Sequence, residues 1–190
     1  MKKIVFLCLF FVVAFQCWSQ KISWVSFGDA FNSLYSGNNT KKLMVVVLPS
    51  PLIGGLNRSP IFGELTNEWV VNYVNKNYYA VKYDMLSKGE TLEIGDETYN
   101  SLNMEDNFKL QEKFGLGEND IMLVFYDEMG TFLVGIRFEA DQYICRPALR
   151  KFEFYLRYVA EDTYKQHETS DEVTRYFDSY KAKYLTDCKD

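Results

Sequence analysis

Chemistry in a chain of this length rests on few side-chain types, and two of them are scarce here. The 190 residues hold four cysteines, Cys8, Cys17, Cys145 and Cys188, and one histidine, His167. A thiol does redox work as a thiolate, with a second thiol nearby to resolve the mixed disulfide. No cysteine lies between residues 18 and 144, so the body of the chain carries no Cys-x-x-Cys pair. Cys145 and Cys188 read either as one disulfide, contributing roughly 2–4 kcal/mol by closing a long loop, or as two separate thiols. His167 stands in a polar segment and reads as a solvated linker residue, since a triad or a histidine metal site would have to be built on it alone. Asp84, Glu90, Glu93, Asp96 and Glu97 gather carboxylates around a turn without the spacing of a calcium-binding loop, and they read as a solvated hairpin. Gly54-Gly55-Leu56-Asn57-Arg58-Ser59 precedes a helix but lacks the glycine spacing and the lysine of a phosphate loop. No cofactor and no metal are expected.

The first residues explain the loss of half the thiols. Lys2 and Lys3, the apolar run Ile4 to Phe15, and the small side chains at Cys17 and Ser19 have the pattern of a secretory signal peptide spanning 1–19. The run is shorter than the roughly 20 residues that cross a bilayer, so no membrane attachment is expected after cleavage. The chain is then exported, periplasmic or secreted. Removing 19 of 190 residues leaves 171, enough for one full core, with a domain over 20–166 and a tail over 167–190. Without Lys2 and Lys3 the balance is 19 basic against 26 acidic residues. An acidic chain with no basic cluster excludes a phosphate-backbone binder, so no nucleic acid is expected as partner. Aromatics at 17% and an apolar fraction of 47% exclude a disordered chain.

The elements that position these residues follow from periodicity. Trp24, Phe27, Ala30, Phe31, Leu34 and Tyr35 recur at helical spacing, which predicts an opening helix that ends near Gly37. Leu43 to Leu48 is a continuous apolar run that fits a central strand covered on both faces. Pro49 to Ser59 is a loop by composition. Ser59-Pro60 caps a predicted helix with the stripe Phe62, Leu65, Trp69, Val70, Tyr73 and Val74, and Tyr78 to Tyr83 then reads as a strand, giving a parallel βαβ unit. Trp69, Tyr73, Tyr78, Tyr79 and Phe62 read as core rather than as a stacking surface. Residues 89–99 predict a small exposed hairpin. Phe108, Leu110 and Phe114 line a loose helix ended by Gly115. Ile121 to Tyr126 and Thr131 to Phe138 form an antiparallel hairpin. A closing helix follows with Leu149, Phe152, Phe154, Tyr155, Tyr158 and Val159, then a tail helix from Thr169, where Thr169-x-x-Glu172 resembles a capping box.

This element order resembles that of exported thioredoxin-like proteins of Gram-negative bacteria. Lys41-Lys42 ahead of the first central strand, the segment Val74-Asn75-Lys76-Asn77-Tyr78-Tyr79-Ala80-Val81-Lys82-Tyr83-Asp84, and Leu123-Val124-Phe125-Tyr126-Asp127 carry the resemblance, which covers roughly Trp24 to Tyr164. It implies an α/β three-layer sandwich, a mixed central sheet flanked by helices, with a small inserted hairpin and a C-terminal helical tail. The family's two active-site cysteines fall near Pro51 and Gly54, with Leu52 and Ile53 between them, and its cis-proline near Ile121, preceded by Asp120. This chain departs from the pattern at all three positions. The resemblance further implies a groove for extended peptide between that loop and the segment before the third strand. Pro51, Leu52, Ile53, Gly54 and Ile121 are thus the candidate contact residues for a protein or peptide partner, against the reading that they pack on each other. The alternative is a thiol-disulfide oxidoreductase using the non-standard pair Cys145 and Cys188. Intact mass of the protein from the exported fraction is expected to show cleavage after Ser19, and a retained residue 1–19 segment would refute the signal-peptide reading.

Overall fold

The computed structural model describes residues 21–36, 40–48, 63, 65–86, 89–117, 120–138, 147–167 and 169–184. The signal segment, Pro51, Leu52, Ile53, Gly54, Cys145 and Cys188 lie outside the described residues. In chain order the elements are β1 (Trp24–Val25), α1 (Phe27–Tyr35), β2 (Lys42–Leu48), α2 (Glu68–Asn77), β3 (Tyr78–Asp84), β4 (Thr91–Ile94), β5 (Glu97–Asn100), α3 (Met104–Phe114), β6 (Ile121–Tyr126), β7 (Phe132–Phe138), α4 (Pro147–Ala160), a 3-10 turn (Thr163–Gln166) and α5 (Ser170–Tyr184).

All seven residues of β2 are buried. Alternation sends Leu43, Val45 and Val47 to one face and Met44, Val46 and Leu48 to the other. A strand buried on both faces sits at the centre of its sheet, and β2 pairs parallel with β3 from Lys42↔Tyr78 to Leu48↔Asp84 and antiparallel with β6 from Leu43↔Tyr126 to Val47↔Met122. The sheet order is β1-β3-β2-β6-β7. Phe27, Ala30 and Leu34 of α1, Leu110 of α3 and the β4-β5 hairpin cover one face, while Val70, Val71 and Val74 of α2 and Phe152, Phe154 and Leu156 of α4 cover the other. The mixed three-layer sandwich expected from the sequence is the observed one.

Local departures have local causes. Trp24 fits the helical period of α1, yet it forms β1 beside Ala80, because the Ser26 side chain accepts from Asp29 N and starts the helix there. The predicted helix from Pro60 does not run through to Asn77: Leu65 and Thr66 turn, and Asn67 caps α2 by accepting from Trp69 N. Trp69 is one-third exposed rather than core, stacked on Tyr73 at 4.9 Å. The hairpin is present but not exposed throughout, since Leu92, Ile94 and Tyr99 are buried against Tyr126 and its neighbours. Phe108 faces solvent, and Asn107 takes the inward position, donating to Ser101 O and accepting from Tyr83 OH. Gly115 ends α3 in the left-handed region, at φ 61°, as expected.

Lys42 is the exception in β2, a charged side chain 2% exposed at the head of an apolar strand. Its ammonium donates to Val159 O at 2.6 Å and to Asp162 Oδ1 at 2.5 Å, and lies 5.1 Å from the Tyr164 ring centroid. Lys165 bridges Asp162 and Glu128, each at 3.0 Å. The end of α4 is thereby tied to the start of β2. Over it packs α5, with Phe154 at 4.8 Å from Phe177 and 5.2 Å from Tyr180, and the capping box closes as expected through Glu172 N to Thr169 Oγ1 and Thr169 N to Glu172 Oε2. His167 is not a solvated linker residue. It is half-buried between the rings of Tyr158 and Tyr176, with Nδ1 3.1 Å from Thr163 O.

Burial alone would raise the Asp162 carboxyl, but hydrogen bonds from Lys42 and Lys165 outweigh it and hold the pKa below the ordinary aspartate value. A depressed carboxyl contributes stability that is present above its unfolded pKa and is lost as pH falls through the folded one. Asp162→Asn is expected to cost about 1–2 kcal/mol in urea unfolding at neutral pH. The difference should close as pH drops below the ordinary aspartate range, and a gap that persists there would contradict the ion-pair account.

Candidate functional site

In open α/β sheets, ligands lie outside the carboxyl ends of parallel strands, where backbones diverge and leave a crevice. Here those ends are Leu48 of β2 and Asp84 of β3, direct register partners, and the segment 49–62 departs from the first of them. Met85 N donates to Leu48 O at 3.2 Å and Leu86 N to Ser101 O at 2.6 Å. That chain of contacts brings Leu102 and the start of α3 to the same edge. The head of β6 completes it.

Asp84 is buried on the face of the sheet covered by α2 and α4. Its Oδ2 meets Lys82 Nζ at 2.9 Å, while Oδ1 is buried with no hydrogen-bond partner. An orphaned carboxylate oxygen is costly inside a protein. The next turn holds Leu86 at φ 60°, a conformation that a branched side chain adopts only when its surroundings impose it. On the other flank Asp120 is also buried, and its Oδ2 is doubly served: it accepts from Gly117 N and Arg137 Nε, both at 2.7 Å. Ile121 is 1% exposed, register partner of Phe138 and part of the core between the sheet and α2 and α4. What it presents at this edge is the head of a strand rather than an open side chain.

Around the first turn of α3, Leu102, Met104 and Phe108 are 61%, 59% and 61% exposed. Met104 and Phe108 lie one turn apart and so share a helix face. Three large apolar side chains left in water at one place mark a contact surface more often than an accident of packing. Glu105 and Asp106 in the first turn complement the helix dipole.

No family model and no curated protein matches the chain. Among solved structures it is similar to a thioredoxin-fold protein from Helicobacter pylori, with TM-score 0.50 and 14% identity over 79% of this chain and 91% of that one. The chain has a thioredoxin-like fold. The sole imidazole is at the end of the sheet opposite the carboxyl edge, beyond the α4 terminus that Lys42 holds. Among the described residues the edge brings together two carboxylates already facing cations and an apolar patch, a composition suited to recognition. No group of three or more His, Cys, Asp or Glu among the described residues is placed to hold a metal, and none of the described helices is long and apolar enough to cross a membrane.

Sequence reasoning placed the site in this region through Pro51, Leu52, Ile53, Gly54 and Ile121, but missed Asp84 and the α3 patch. Asp84 was legible only as one more acid beside a turn, because a strand's final residue can be solvated or buried according to what packs beyond it. Phe108 reads only as part of a loose apolar lining of α3, because its type, not its environment, is what a sequence displays.

Asp84 and Asp120 are expected to respond oppositely to truncation. Asp120→Ala removes an acceptor from a backbone amide and a guanidinium and should cost about 2 kcal/mol in urea unfolding. Asp84→Ala removes an orphaned oxygen and a half-exposed ion pair worth little, so stability should hold or rise. A loss at Asp84 equal to that at Asp120 would show that its carboxylate is satisfied after all.

Proposed function

We propose that the protein is an exported, redox-inactive thioredoxin-like domain that binds a protein partner at the carboxyl edge of its parallel strands. The observation that carries this reading is the chemistry of that edge: a fold built to present two thiols has Pro51-Leu52-Ile53-Gly54 in their place and no cysteine from residue 18 to residue 144. Exchange needs a thiolate to attack and a second thiol to resolve. The exposed Leu102, Met104 and Phe108 beside the same edge supply apolar area of the kind a partner buries. The segment 49–62 joins rigid elements, which is where folds commonly place recognition residues. Export is supported by the leader at 1–19, whose basic and apolar regions precede small residues at the cleavage point.

The mature chain is expected to be inactive in an insulin-reduction assay. Turnover that vanishes in Cys145→Ser or Cys188→Ser would replace this reading with the oxidoreductase one. For binding, affinity capture from the exported fraction should return a partner that Leu52→Asp and Ile53→Asp both release while leaving the unfolding midpoint in place. Retention of the same partner by both variants would remove the loop from the interface.

A further inference from the structure

At the opposite end of the molecule a cleft of about 190 Å3 opens between α4 and α5, walled by Phe154, Tyr158, Tyr176 and Tyr180 with Arg157 and Glu161 at its side. Phe154 is the hub of the wall, 5.2 Å from Tyr158 in a stacked pair, 5.2 Å from Tyr180 and 5.8 Å from Tyr176. Thr163 and Ser179 line it too, small side chains that leave room between the rings. Aromatic faces carry the negative lobe of the ring quadrupole and attract cations.

The charges around the cleft add to that preference. The Arg157 guanidinium is already engaged: it lies over Trp69 at 4.7 Å and Tyr73 at 5.5 Å, and it faces two carboxylates, Glu153 at 3.1 Å and Glu161 at 3.6 Å. Arg157 and Glu161 both line the cleft and balance each other there, and Glu153, which is not part of the lining, further neutralises the guanidinium, so any added carboxylate tips the cleft to negative. Glu161 also accepts from Tyr73 OH at 3.1 Å, which fixes the carboxylate at the side of the cleft. Glu172 of α5 adds negative potential at Tyr158. An anion would meet this potential, and a neutral ligand would gain nothing from it.

We propose that the cleft between α4 and α5 binds a small organic cation of the quaternary-ammonium type, seated against Tyr158, Tyr176 and Tyr180 and balanced by Glu161. The site is separate from the carboxyl edge, and the proposal stands whether or not a protein binds there. The same cation occurs free and as a phospholipid headgroup, and the experiment separates the two.

Tyrosine ring resonances of the mature chain are followed by NMR during titration with choline and with its neutral isostere 3,3-dimethylbutanol. Choline is expected to shift the Tyr158, Tyr176 and Tyr180 signals saturably and to bind at least about fivefold more tightly than the isostere. Glu161→Gln, which keeps shape and an acceptor for Tyr73, should weaken choline about three- to tenfold and leave the isostere unchanged. Tyr176→Phe should retain choline binding, and Tyr176→Ala should lose it. Co-sedimentation with phosphatidylcholine vesicles but not with phosphatidylglycerol vesicles would assign the headgroup as source, and saturation by choline without co-sedimentation would assign the free cation. Equal affinity for choline and the isostere, an unchanged choline affinity in Glu161→Gln, or no saturable shift with choline would each overturn the proposal.

Discussion

The constraint that organises the molecule is that β2 must be dry on both faces. Its backbone groups are satisfied by β3 on one side and β6 on the other, so its side chains can be removed from water only by layers above and below the sheet. That requirement demands helices on both faces and explains why α1 and α3 share one side while α2 and α4 take the other. Lys42 is where the requirement meets a charge. Withdrawing an ammonium group from water is tolerable only with partners at hand, and those partners belong to the terminus of α4 and the turn after it. The closing helix is therefore placed by hydrophobic contact along its length and by electrostatics at its end.

The two ends of the sheet are built on opposite terms. At the amino end of β2, charges interlock through Lys42, Asp162, Lys165 and Glu128, and α5 adds a second aromatic layer over α4. At the carboxyl end, Asp84 keeps an unpaired oxygen, Leu86 occupies a left-handed conformation, and Leu102, Met104 and Phe108 remain in water. Each of these costs stability, and such costs concentrate where a surface serves something other than folding. A scaffold fastened at one end and unsatisfied at the other is consistent with recognition at the unsatisfied end.

Periodicity made most of the architecture readable in advance. The runs Leu43 to Leu48 and Ile121 to Tyr126, the strand after Asn77 and the αL cap at Gly115 all lie where local pattern places them, because continuous burial and left-handed turns leave few residue choices. The errors share a cause. Trp24, Trp69 and His167 are read from residue type and local segment, and in each case packing partners from another element decide the outcome. Ala80 recruits Trp24 into the sheet, Arg157 and Tyr73 hold Trp69 at the surface, and Tyr158 and Tyr176 enclose His167. For the candidate site the sequence offers the loop after β2, whose residues lie outside the described ones, and no signal for Asp84 or the α3 patch as a set of groups.

By itself the sequence determined which segments could be strands and helices, that one strand had to be covered on both sides, and that no cysteine lies between residues 18 and 144, so no thiol pair stands in the loop that leaves that strand. These follow from residue type and short-range spacing, which local sterics and burial translate directly into structure. Only the tertiary structure decided that Lys42 finds Asp162 across 120 positions, that Asp84 is buried with an unanswered oxygen, and that α4 and α5 leave an acid-flanked aromatic cleft between them. A charge or a ring takes its role from what surrounds it, and that surrounding is assembled by long-range packing.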